Sequence, residues 1–211
     1  MHRYTVEGNN RVKVIGLITA ASIVTSLILH IGLSPRIDTL PLPDYILPFV
    51  YTVLSIGVIF ALFYETYKEY GWRMAPQFVS PIPNLSGEWE GCVSEDGEPL
   101  DFDAYLSGEE CCQCGDDMVP ANLTVSQNFE KIEFDYTPEK NGHNSKSQVA
   151  MIRGTYSNRP VVYYLFKNEG DSETGEYYGG ARLDLGDDVL RGQYFTGPVG
   201  PEDGQAVFER S

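Results

Sequence analysis

Two long apolar runs open the chain, and short alternating segments fill the rest. From Val12 to Leu33 the sequence VKVIGLITAASIVTSLILHIGL is interrupted only by Lys13 and His30. About 20 helical residues, each rising ~1.5 Å, cross a hydrocarbon core of ~30 Å, so this run predicts a transmembrane helix over 12–33. A second run over 45–64, YILPFVYTVLSIGVIFALFY, carries no charge and predicts a second span. Between them, SPRIDTLPLPD (34–44) has three prolines and suits an external turn. The first run is long for the apolar region of a signal peptide, and no convincing small-x-small site follows it, so cleavage is not expected.

Residues 65–85 end in a proline-rich stretch that cannot continue a helix, and they predict a linker. From there to the C-terminus (86–211) the period changes from helical to two, with Gly, Pro, Asn and Asp clusters as punctuation. Eight strands are expected near 86–94, 121–127, 130–137, 147–156, 160–167, 176–185, 188–196 and 203–209. In the third, Ile132, Phe134 and Tyr136 alternate with Lys131, Glu133 and Asp135. In the first, Trp89, Gly91 and Val93 share a face, as do Tyr177, Gly179, Ala181, Leu183 and Leu185 in the sixth. Successive antiparallel strands with one apolar face each most economically close into an up-and-down barrel, which leaves no edges. The expected fold is therefore a membrane protein, a two-helix transmembrane hairpin followed by an all-β, eight-stranded antiparallel barrel. A β-sandwich is the alternative.

Charge adds direction. Arg3, Arg11 and Lys13 precede the first run and Lys68 and Arg73 follow the second, whereas the turn holds only Arg36. Basic flanks stay on the cytoplasmic side, so both termini (residues 1–11 among them) and the barrel are expected there. Residues 76–211 hold nine of the fifteen basic and twenty-five of the thirty acidic residues, a net charge of −16. That opposes binding to DNA or RNA and is compatible with a high-salt cytoplasm. The four cysteines, Cys92, Cys111, Cys112 and Cys114, cluster too closely for a disulfide framework and lack paired C-x₂-C spacing. A solvated loop is favoured over a metal site, and no metal or cofactor is expected.

In the first span Thr19, Ser22, Ser26 and His30 form a polar stripe on one helical face. It either packs the helices together or lines a path for water or ions once hairpins assemble. The soluble part contains one histidine, His143, and no nucleotide-loop, zincin or nucleophile-elbow motif, so a binding domain is expected and not an enzyme.

Asn84-Leu85-Ser86-Gly87-Glu88-Trp89-Glu90-Gly91 follows the second run; Gly154-Thr155-Tyr156-Ser157-Asn158-Arg159-Pro160, Leu190-Arg191-Gly192-Gln193-Tyr194-Phe195-Thr196-Gly197 and a final Gly204…Phe208-Glu209-Arg210 come later. With Ser126-Gln127 and Ser145-Lys146-Ser147, and in this order behind two apolar runs, they resemble the two-transmembrane, β-strand-rich effectors of bacterial CBASS anti-phage systems. The insertion 94–120, with its cysteines, departs from that pattern. The resemblance implies an inner-membrane, multi-pass protein whose barrel binds a cyclic oligonucleotide made by a partner nucleotidyltransferase. Binding then drives homo-oligomerisation and disruption of membrane lipid by the hairpins. A cyclic dinucleotide needs aromatic platforms and phosphate donors. Trp89, Tyr156, Tyr177 and Tyr194 are candidate platforms, Arg153 the candidate cation, and Asn158 reads a base edge or caps its turn. For Trp89, Tyr177 and Tyr194 the competing role is to fill the core.

Overall fold

The computed structural model describes residues 1–6, 10–37, 43, 46–53, 55–75, 79, 82–94, 118–139, 144–154, 159–170, 175–197 and 203–211. The cysteine cluster 111–114, Tyr156, Asn158 and His143 lie outside them. The chain divides into two compact units, Met1–Glu7 with Ile82–Ser211, and Gly8–Pro81.

The first unit is a closed barrel of nine strands: β1 (His2–Val6), β2 (Gly87–Ser94), β3 (Met118–Gln127), β4 (Lys131–Pro138), β5 (Ser145–Arg153), β6 (Val161–Asn168), β7 (Tyr177–Leu185), β8 (Val189–Thr196) and β9 (Gly204–Arg210). Strands β2 to β9 form the expected up-and-down meander, each antiparallel to its sequence neighbour, with β9 returning to β2. The ninth strand is the difference from the sequence reading, and it comes from the N-terminus. Strands β4 and β5 pair only at Asp135↔Lys146 and Tyr136↔Ser145, then separate. β1 fills the gap, antiparallel to β4 at His2↔Ile132 and parallel to β5 from Tyr4↔Ala150 to Val6↔Ile152.

Alternation places the inner face as expected. Trp89, Leu123, Ile132, Phe134, Ile152, Val162, Leu183, Leu190 and Phe208 are buried, with the Phe134 and Tyr164 rings stacked 4.6 Å apart. Burial pushes the Tyr164 phenol far above its ordinary pKa. Gly91 and Gly192 take inner positions where a Cβ would collide with the carbonyl oxygens of Val207 and Arg182 on the neighbouring strands. The β7–β8 hairpin turns at Asp188, whose φ of 58° lies in the left-handed region that aspartate tolerates.

The second unit is helical. α1 (Asn10–Ile37) has 28 residues, about 42 Å of helix, and is long and apolar enough to cross a membrane. The second apolar run is not one helix. Among the described residues it divides into α2 (Leu47–Val53) and α3 (Ile56–Thr66), so α1 is the one described helix long enough to cross a membrane and a second continuous span is not shown. Ser55 makes the break: its backbone is extended (ψ 150°), and its hydroxyl accepts the Val58 N–H at 3.4 Å as the N-cap of α3. Helical conformation then continues past Tyr64, through a π-helical turn (Tyr67–Gly71) and α4 (Trp72–Met74). α1 packs on α3, burying Val14, Ile18 and Ser22 along one face.

Candidate functional site

The barrel has two ends of different character. At one end lie the last residue of β1, the first of β2, the β3–β4 and β7–β8 turns and the C-terminus. Both chain connections to the helical unit therefore leave from this end. At the far end lie the last residues of β2, β4, β6 and β8 and the first of β3, β5, β7 and β9.

The connected end is sealed. Residues 82–86, which precede β2 without regular secondary structure, are bonded to Gln127 there, and Leu85 and Phe129 are wholly buried. Gln127, the last residue of β3, is the hub. Its Oε1 accepts the Leu85 N–H at 2.7 Å, and its Nε2 donates to the Pro83 carbonyl at 3.1 Å and to the Tyr4 hydroxyl at 3.4 Å. One buried amide thus joins the strand that precedes α1 to the segment that returns from α4. Tyr4 also donates to the Asn128 carbonyl at 3.3 Å, and the Asn128 side chain in turn accepts from the Glu130 and Lys131 N–H groups, fixing the β3–β4 turn.

Trp89 belongs to this seal. It is 0% exposed, its Nε1 donates to the Leu85 carbonyl at 2.9 Å, and the Arg210 guanidinium lies 4.6 Å from its ring centroid. The ring presents no face to solvent. Arg210 in turn donates to the Asn84 carbonyl at 2.6 Å. It is the only Lys or Arg at an inner position of the described strands.

Toward the far end the inner wall becomes polar. Ser145, Ser147 and Asn168 are buried there beside Tyr136, Tyr177 and Thr196. The Ser147 hydroxyl accepts the Phe134 N–H at 2.8 Å, and Asn168 accepts the Gly170 N–H at 3.0 Å. Tyr194 faces inward in the adjoining layer and spans Gly204 to donate to the Ser94 carbonyl at 2.9 Å. On the outside of this rim Lys146 pairs with Asp135 (3.3 Å) and Lys167 with Glu176 (2.6 Å), and these hydrogen-bonded carboxylates hold both ammonium groups above their ordinary pKa.

Of the residues expected to hold a nucleotide, Tyr177 and Tyr194 share the inner wall, and Trp89 closes its opposite end. Arg153 is exposed at the end of β5 and faces outward with Val149 and Met151. In the helical unit two residues of the polar stripe bond to their own helix: Thr19 donates to Ile15 O (2.8 Å) and Ser22 to Ile18 O (2.7 Å). Thr52 does the same to Pro48 O (2.7 Å). Ser26 stays half-buried, and the His30 ring meets Tyr51 of α2 at 5.9 Å. Hydroxyls satisfied in this way suit helix packing. Among the described residues no cluster of His, Cys, Asp and Glu has the makings of a metal site.

Sequence reading missed the role of β1 and the hub. His2–Val6 does alternate, with Tyr4 and Val6 against Arg3 and Thr5, but five residues ahead of a long apolar run read as its basic flank. Gln127 stood out only as part of a resemblance; a polar residue ending an apolar-faced strand was the available signal. The sequence matches no protein-family model and no curated protein.

Proposed function

We propose that the chain is a membrane-anchored receptor whose barrel binds a small signal and passes the event to its apolar helices. The observation that carries this reading is the Gln127 hub, which ties both connections of the helical unit to one barrel end. Residues before and after the helical unit share one barrel, which suits a segment that leaves and returns to the same side of a membrane. The basic flanks assign that side to the cytoplasm, with the helices in the inner membrane.

On the resemblance to CBASS effectors, the signal is a cyclic oligonucleotide from a partner nucleotidyltransferase. The output is homo-oligomerisation and membrane disruption, with no catalysis. The polar inner wall with Tyr177 and Tyr194 supplies aromatic and hydrogen-bonding groups of the kind such a ligand needs. A panel of cyclic dinucleotides added to the full chain in detergent should raise its melting temperature, and co-expression with the cognate nucleotidyltransferase should collapse the membrane potential on signalling. A panel without any stabilising member, together with an intact potential, rejects the reading.

One observation favours a second reading, a tethered domain for a protein or lipid partner without toxic output. Among the described strands the one inner guanidinium, that of Arg210, lies on Trp89 at the sealed end and not at the polar far end of the wall. In that case the same panel leaves both melting temperature and membrane potential unchanged.

A further inference from the structure

A groove of about 770 Å³ runs along the helical unit where α1 meets α3, the π-helical turn and α4. Leu17, Leu62 and Phe63, all exposed, form its walls, and the small residues Ala21, Gly71 and Ala75 leave the room between them. No residue lining it is charged. Its volume falls within the ~300–1,000 Å³ of sites that hold one small organic ligand. The α1 wall, Val14 to Ala21, covers about 10 Å of helix axis, against ~15 Å for half of a hydrocarbon core. The groove therefore has the length of one leaflet.

Basic residues adjoin one end of it. Arg11 and Lys13 lie in the first turn of α1, and Lys68 and Arg73 in the π-helical turn and α4, against two acids, Glu65 and Glu69. Lys68 engages both acids. No acid stands in the first turn of α1, the positive end of its dipole, so an anion is favoured there. Lys13 is exposed and forms no ion pair among the described residues. It sits one turn before Leu17 on the same helical face, above the groove wall. Arg73 lies over the Trp72 ring, 5.6 Å from its centroid, and Gly71 and Met74 on either side line the groove.

We propose that the groove holds one acyl chain of an anionic glycerophospholipid of the cytoplasmic leaflet, with the lipid phosphate at Lys13. An uncharged groove of one leaflet's length suits the chain, and cations at its mouth favour an anionic headgroup over a zwitterionic one. In a chain of net charge −15, this is a place where basic residues outnumber acids. The −16 of residues 76–211 counts against it only for charges within a Debye length, ~8 Å at physiological ionic strength. The inference rests on the membrane-anchored reading above, which sets the leaflet.

The test uses the full chain in phosphatidylcholine vesicles doped with brominated phosphatidylglycerol or, at the same fraction, brominated phosphatidylcholine. Bromine quenches tryptophan fluorescence at short range, so Trp72 reports on the groove, while Trp89, sealed in the barrel, gives a constant background. Half-quenching is expected at an about fivefold lower fraction of phosphatidylglycerol, the preference that one cation near the membrane surface confers. Lys13→Gln should remove this preference and Lys13→Arg restore it. Ala21→Phe fills the groove and should weaken quenching by both lipids, whereas Ala20→Phe, just outside it, should not. If Ala21→Phe fails to fold, the exposed Lys13 pair decides. Equal quenching by the two lipids, equal effects of the two phenylalanine variants, or quenching by neither lipid (the result if protein fills the groove) overturns the proposal. Vesicle flotation keeps the failures apart. A chain that floats without lipid preference refutes this inference alone; a chain that does not float refutes the anchored reading with it.

Discussion

Gln127 concentrates more structure than any other polar side chain described in the barrel. It is 4% exposed and satisfies a buried N–H, a carbonyl and a hydroxyl from two separate segments, 82–86 and β1. Replacing it with leucine keeps the volume and strands the Leu85 N–H, so Gln127→Leu should cost about 1–3 kcal/mol in a urea melt of the full chain. The same variant should expose residues 1–9 to protease before the rest of the chain, because Tyr4 loses a partner. His2, across from Ile132, has an Nε2 that is buried without a partner, and burial lowers its pKa. The unfolded chain then binds a proton that the folded chain resists, so His2 favours folding fully above its ordinary pKa and less as pH falls below it. Between about pH 7 and pH 5 the melting temperature should fall, and His2→Gln should flatten that part of the slope.

At the level of elements, the barrel depends on close strand approach at two inner glycines. Gly91→Ala drives a methyl group into the Val207 carbonyl, where the obstacle is backbone and cannot rotate away. A loss of about 1–3 kcal/mol is expected by thermal or denaturant melting, with Gly87→Ala the wrong control, since its φ of 138° strains any side chain. β1 is held differently: five residues, paired at two positions with β4 and at three with β5. Tyr4→Pro removes an N–H that reaches the Glu130 carbonyl at 3.4 Å and the hydroxyl that meets Gln127. Hydrogen exchange should then rise first in β1 and its β5 partners Ala150–Ile152, with β7–β9 unchanged.

For the whole molecule, charge sets the condition. A net −15 over 211 residues opposes the compact state through self-repulsion that salt relieves. The melting temperature of the full chain should therefore rise with sodium chloride over the range where screening acts, and a flat response would contradict this account.

The eight meander strands were legible because a half-buried strand writes its two faces into alternate residues: Ile132, Phe134 and Tyr136 point inward as the pattern required. The apolar stretch of α1 was equally legible, since span length depends only on local composition. What depends on distant partners was not. His2–Val6 is too short to stand alone and becomes a strand only in the gap that β4 and β5 leave. The break at Ser55 follows from one residue's extended backbone inside a run whose hydropathy is uniform. The fate of Trp89 was decided by contacts with Leu85 and Arg210, four residues before it and 121 after it in the sequence. Local periodicity thus determined which residues face the core and where the chain turns apolar. Only tertiary structure decided which strand closes the barrel, which aromatic is sealed, and how the two connections meet at Gln127, because those outcomes are set by contacts between segments that alternation and hydropathy do not encode.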